Sequence, residues 1–235
     1  MGVEVTERPL GGGKEAAAVG ALVAVEGLDG AGKRTLNAAL AKELETRGVR
    51  VGTMAFPRYG RSVHADLVAD ALHGRAGDLG DSVHGMAALF ALDRAGAVEE
   101  LNTLLAGHDV VLLDRYAASN AAYGAARLYQ DAQGDFATWI RELEFGRYAL
   151  PVPALQVLLR VPVAVAAARA VQRAGTDASR TRDAFERDDG LQARTSAVYE
   201  GLAADAWVSP WFVHASGAEC ATVGALADRV LYPAG

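Results

Sequence analysis

The stretch Gly27-Leu28-Asp29-Gly30-Ala31-Gly32-Lys33-Arg34-Thr35 limits how this chain can fold more than any other part of it. It follows the apolar run Ala21–Val25 and opens a helical pattern from Leu36 to Glu45. Strand, glycine-rich turn and helix in that order are the setting of a phosphate-binding P-loop. The glycines let backbone amides approach a polyphosphate. The helix N-terminus adds partial positive charge, and Lys33 adds a full one. A plain strand-to-helix turn does not require the lysine or this spacing.

The rest of the chain fits that start. Apolar runs at Leu22–Val25, Val51–Phe56, Val110–Leu113, Leu155–Val161 and Trp211–Val213 are separated by helix-length segments, notably Ala87 to Leu105 and Pro162 to Arg173. Runs without alternation predict strands buried on both faces. Strand alternating with helix predicts a doubly wound α/β fold, a five-stranded parallel sheet with helices on both faces. Ligands should then gather at the carboxyl ends of the strands. Three such ends carry suitable groups: Glu26 and the P-loop, Phe56-Pro57-Arg58-Tyr59-Gly60, and Asp114-Arg115-Tyr116.

The 235 residues, 51% hydrophobic, suffice for one α/β domain, expected over residues 21–235. Residues 1–20 read as a flexible arm. They lack the continuous apolar segment of a signal peptide, and Gly11-Gly12-Gly13-Lys14 has no strand before it. A net charge of −6 disfavours a nucleic acid polymer as partner. No apolar run reaches membrane-spanning length. The single cysteine, Cys220, excludes an intrachain disulfide and points to a reducing cytoplasm.

The P-loop departs from the common pattern at Arg34, which stands where a Ser or Thr would touch Mg²⁺; Thr35 comes one residue late. Arginine cannot ligate a metal but can stabilise a migrating phosphoryl group, as an arginine finger in cis. The competing expectation is a solvent-facing helix residue. The cation would turn to Asp29. Asp114 could hold a metal-bound water, and Arg115 could grip a phosphate bidentately; an Asp114–Arg115 ion pair bracing the strand end is the plainer alternative. Phe90 and Arg94 share a helix face, as do Ser119, Asn120 and Tyr123. A ring, a guanidinium and an amide suit a flat base with a hydrogen-bonding edge, although taken alone Phe90 and Arg94 read as a core ring beside a surface arginine, and Ser119, Asn120 and Tyr123 as a polar helix face. Arg169, Arg173, Arg180, Arg182, Asp183, Glu186 and Arg187 surround Gly175–Ser179. They fit either a mobile lid, about 169–187, closing over phosphates, or a solvated helix laced by pairs such as Arg182–Glu186.

Taken together and in this order, the P-loop, Phe56-Pro57-Arg58-Tyr59-Gly60, Phe90-Ala91-Leu92-Asp93-Arg94, Asp114-Arg115-Tyr116 and Ser119-Asn120-Ala121-Ala122-Tyr123 resemble bacterial thymidylate kinases, the actinobacterial branch above all. The similarity runs from about Leu22 to near the end. It implies a P-loop nucleoside-monophosphate kinase fold, usually a homodimer, that phosphorylates dTMP with ATP and Mg²⁺. Asp29, Lys33, Arg34 and Arg115 would be catalytic. ATP would be held by Gly27, Gly30, Ala31, Gly32, Lys33, Arg34 and Thr35, with Arg169, Arg173 and Arg180 from the lid. Phe90 would stack on thymine, Arg94 and Asn120 would bind its edge, and Tyr123 would disfavour a ribose 2′-hydroxyl. Tyr59 and Arg115 would orient the acceptor phosphate, and Phe56, Ser119, Asp183 and Phe185 complete the dTMP set. Asp29 and Glu186 would contact the metal. Phe185 stands where this family carries tyrosine, so a stacking role is open to it but a hydroxyl contact is not.

Two rivals remain at this stage. A deoxynucleoside kinase would act on a neutral hydroxyl and benefit from a carboxylate base. A non-catalytic nucleotide-binding protein would use the P-loop without turnover. Arg58, Arg94, Arg115 and Arg34 near one acceptor, with few spare carboxylates, favour a monophosphate.

Overall fold

The computed structural model describes residues 20–176, 185, 189–215 and 222–232. The arm up to residue 19, Arg180, Arg182, Asp183, Glu186, Arg187 and Cys220 lie outside the described residues, as does the side chain of Arg173.

Five parallel strands form the sheet: β1 (Ala21–Glu26), β2 (Val51–Ala55), β3 (Val110–Asp114), β4 (Leu155–Arg160) and β5 (Trp211–Ala215). Their order is β2-β3-β1-β4-β5. The P-loop strand β1 is therefore central. It pairs with β3 on one side, Val25 opposite Asp114, and with β4 on the other, Glu26 opposite Leu158. Every apolar run expected as a strand is one, within a residue or two at its ends.

Alternate residues of β1 serve two different cores. Leu22 and Ala24 pack with Val111 and Leu113 under α4 (Val98–Gly107), α5 (Ala117–Arg127), α6 (Asp135–Arg141) and α8 (Asp189–Ala204). Val23 and Val25 pack with Leu112 and Val157 under α1 (Lys33–Thr46), α7 (Val163–Thr176) and α9 (Val223–Leu231). Side chains alternate along a strand, so a strand buried on both faces must be apolar throughout. That is why these runs carry no alternation.

The segment Ala87–Leu105 is two helices, not one: α3 (Val83–Ala95) and then α4. Gly96 ends α3, and a Cβ there would lie 3.3 Å from the Arg58 guanidinium. Between β2 and α3 lie α2 (Val63–Leu72), capped by the Ser62 hydroxyl, and a 3₁₀ turn, Gly77–Asp81. The carboxyl ends of β1, β2 and β3 thus face α2, α3 and α5, and the cleft opens between them.

Candidate active site

At the P-loop, the chain leaves β1 and enters α1 through Gly32, at φ 103°, with no side chain capping the helix. The first amides of α1 are left for an external acceptor, which makes this N-terminus an anion site. Gly30, at φ 80°, lies against α7, and a Cβ would fall 2.1 Å from the Ala166 carbonyl oxygen. No other residue fits there. Lys33 is buried and folds back, its Nζ donating to the carbonyls of Gly27 (3.0 Å) and Leu28 (2.8 Å). Burial, and after it the nearby Arg115 charge, pull its pKa down to about 8. Arg34 and Thr35 are exposed on the first turn. Arg169 donates to the Ala31 carbonyl at 3.3 Å, bringing α7 to the loop.

Where the loop meets the cleft, Arg115 pairs with Asp29. Arg115 adopts φ 67°, in the left-handed region that a side chain rarely occupies. Its amide donates to the Val25 carbonyl at 3.0 Å, and Nη1 donates to Ser119 Oγ at 3.0 Å. This backbone turn carries the guanidinium back over β1 instead of out along β3. The Tyr123 hydroxyl donates to the other Asp29 oxygen at 2.7 Å, and Arg115 lies over the Tyr123 ring at 5.5 Å. Burial alone would raise the Asp29 pKa, but the Arg115 and Lys33 charges outweigh it and bring it to about 2. Burial and the Asp29 charge push the Tyr123 phenol up, so it stays a neutral donor.

A second carboxylate holds this arrangement from below. Glu26, fully buried at the end of β1, accepts from the amides of Tyr116 (2.7 Å) and Ser119 (3.3 Å), from Ser119 Oγ (2.6 Å) and from the Tyr199 hydroxyl (3.1 Å). Tyr116 precedes α5 without a side-chain cap of its own. Glu26 therefore caps α5 from another strand. Of the helices that begin at this edge of the sheet, α5 has its N-terminus closed by a protein carboxylate, and α1 has its N-terminus open. An incoming anion is directed to α1.

The cleft itself lies between the strand ends and α2, α3 and α5 and opens to solvent. Asp29, Phe56, Tyr59, Phe90, Arg94, Arg115, Ser119, Asn120, Tyr123 and Phe185 all line it, together with Leu72, Met86 and Ala87. Phe185 stacks on Tyr123, with centroids 5.9 Å apart and planes inclined by 19°. Arg127 lies over the Phe185 ring, 4.9 Å from its centroid. Arg94 is paired with the buried Glu144, Nη2 to Oε1 at 2.6 Å. Asn120 Nδ2 donates to the Ala87 carbonyl (2.9 Å) and to Glu144 Oε1 (2.8 Å).

The family model described as thymidylate kinase matches residues 25–209. A thymidylate kinase of Mycobacterium tuberculosis is 55% identical over 192 residues, which cover 82% of this chain and 90% of that one. This chain belongs to the thymidylate kinase family. A thymidylate kinase of Xanthomonas campestris pv. campestris is 37% identical over 188 residues, covering 78% and 72% of the two chains. Among solved structures, thymidylate kinase from Candida albicans superposes with a TM-score of 0.62 over 92% of this chain and 91% of its own, at 19% identity. That likeness supports the P-loop nucleoside-monophosphate kinase fold.

Two expectations change. Arg58 does not reach the cleft's acceptor end. Its amide and Nε donate to Asp93 at 2.9 Å, and Nη2 donates to the Asp93 carbonyl, pinning the β2 loop to α3. Asp114 and Arg115 form no ion pair, because the guanidinium turns to Asp29. Ser119 lines the cleft but spends its hydroxyl on Glu26, Tyr199 and Arg115, so it positions Arg115. Glu144 and Tyr199 escape sequence reasoning altogether. Each stands among other polar residues of a helical stretch, with nothing local to single it out, and only the distant partners they meet give them a role.

Proposed function

We propose that this chain transfers the γ-phosphoryl group of ATP to dTMP, giving dTDP and ADP, as a step towards dTTP. The observation that carries the proposal is the Asp29–Arg115 pair, which joins the open N-terminus of α1 to the floor of the cleft. ATP phosphates on α1, with Lys33 and Arg34, would meet a dTMP phosphate held by Arg115 and Tyr59. An acceptor oxygen attacks the γ-phosphorus while the bond to the bridging oxygen breaks and ADP leaves. The acceptor phosphate is already ionised, so no base is required.

The carboxylates support this over a deoxynucleoside kinase. Glu26 is saturated by four donors, and Asp29, with a pKa near 2 and bound to Arg115 and Tyr123, is a poor base. Tyr123 and Phe185 would wall the sugar, and Phe90 would stack on the base. The donor set also suits Mg²⁺. Asp29 stays ionised above about pH 2 and is a hard oxygen ligand. Mg²⁺ commonly binds through one or two carboxylates together with the substrate phosphates. Asp29, with Glu186, would hold Mg²⁺, which would neutralise charge on the transferring phosphates. A lid at about 169–187 bearing Arg169, Arg173 and Arg180, a homodimeric state and a cytoplasmic location extend the same reading. No described helix is long and apolar enough to cross a membrane.

The test is ADP release measured with dTMP, thymidine or no acceptor. Release dependent on dTMP alone is the expected result. Release driven equally by thymidine would indicate the nucleoside kinase, and none with any acceptor would indicate a non-catalytic nucleotide binder.

A further inference from the structure

Glu144 is fully buried in the π-helical turn Glu142–Arg147 that follows α6, and it faces two residues of the cleft at once. Oε1 accepts from Arg94 Nη2 at 2.6 Å and from Asn120 Nδ2 at 2.8 Å, while Oε2 accepts from Arg94 Nε. Arg94 is 3% exposed and Asn120 6%. The orientation of the Asn120 amide follows from chemistry. Its two neighbours, the Glu144 carboxylate and the Ala87 carbonyl, are both acceptors, so both must be met by Nδ2. Oδ1 is then turned away from them, on a residue that lines the cleft. Arg94 spends Nε and Nη2 on the carboxylate and keeps Nη1 for the cleft that it lines.

We propose that Glu144 sets the base selectivity of the cleft, by holding Asn120 and Arg94 in the one arrangement that presents an acceptor beside a donor. The inference rests on the reading of dTMP as acceptor. A thymine or uracil edge offers an N3–H donor next to an O4 acceptor, the complement of that pair. Cytosine offers an N3 acceptor next to an N4 amino donor and meets like against like on both bonds. A site with fixed polar groups rejects such a mismatch strongly, because each buried group would be left unpaired. Glu144 touches no substrate in this arrangement; it is a positioning residue, and its π-helical setting is one often found at functional sites.

Glu144→Gln changes one acceptor oxygen into a donor nitrogen at almost constant shape. With a donor opposite it, the Asn120 amide gains a reason to turn over and show Nδ2 to the cleft. The experiment compares dissociation constants of dTMP and dCMP by titration calorimetry, and the KM for ATP. The expected result is a fall of about tenfold or more in the preference for dTMP over dCMP, with the KM for ATP unchanged. Equal weakening of both nucleotides would make Glu144 a brace of the fold and overturn the proposal. Glu144→Asp keeps the charge that buried Arg94 needs and withdraws the carboxylate by one methylene. It is read in the same way should the Gln variant fail to fold: a lost preference supports the proposal and an intact one overturns it. The unaltered protein separates the two levels. Failure to use dTMP there removes the function reading and this inference together, whereas dTMP turnover with an unmoved preference in the variants removes only the inference.

Discussion

Arg115 reaches Asp29 across the carboxyl end of β1 from a backbone with φ 67°, so that the P-loop and the cleft share one ion pair. The strain of that backbone is supported on three sides: the amide bonded to Val25, the guanidinium to Asp29 and Ser119, and Ser119 in turn to Glu26. A group held so firmly between two sites is suited to fixing an acceptor phosphate relative to a donor.

Arg115→Ala should therefore lower kcat about 100- to 1,000-fold, the loss of a preorganised charge contact to the transferring group. Binding of ATP in the absence of dTMP, measured by calorimetry, should change little. A near-normal kcat would mean that Arg115 serves only its pairing with Asp29.

Lys33 gives a pH dependence with a definite sign. Its pKa is pulled down from 10.5 to about 8, so it is charged below that pH and neutral above it. If the charged form is the one that holds ATP, affinity should fall as pH rises through 8, by about tenfold between pH 7 and pH 9 in the free protein. Lys33→Arg keeps its charge throughout this range and should bind ATP with little pH dependence. An unaltered protein whose ATP affinity is flat across pH 7–9 would contradict the assignment.

Arg34 is exposed on the first turn of α1, where the proposed function would set it against the transferring phosphoryl group. A contact made mainly in the transition state raises the maximal rate and leaves ground-state binding alone. Arg34→Ala should reduce kcat while both KM values stay within about twofold. A raised KM with intact kcat would indicate plain ATP binding, and no change would leave Arg34 as a solvent-facing residue.

Glu26→Gln removes the charge that caps α5 and splits a network of four hydrogen bonds. Urea unfolding should show a loss of about 1–3 kcal/mol, the range for a buried hydrogen-bonded group left poorly paired. Because Ser119 would loosen its hold on Arg115, kcat with dTMP should fall too. Full stability in this variant would show that the cap contributes nothing.

The parallel sheet, the P-loop and part of the cleft lining were legible in the chain itself, whereas Phe185 entered only through the family resemblance and Leu72, Met86 and Ala87 not at all. Each legible part rests on a local signal: unbroken apolar runs for strands buried on both faces, glycines and a lysine at fixed spacing before a helix, and side chains three or four apart on one helix face. What was not legible is how the polar groups pair. Arg58 looked like a phosphate ligand until Asp93, thirty-five positions on, took its guanidinium. Glu26 looked like the end of a strand until Tyr199, 173 positions away, and the amides before α5 converged on it. Glu144 gave no signal at all, because its meaning lies in Arg94 and Asn120, fifty and twenty-four positions away. A buried charge must find its partner wherever the packing of helices on the sheet brings one. Local pattern therefore determined the elements and the face on which the site forms, and the tertiary structure alone decided which charges remain open to a nucleotide and which are consumed in holding the others in place.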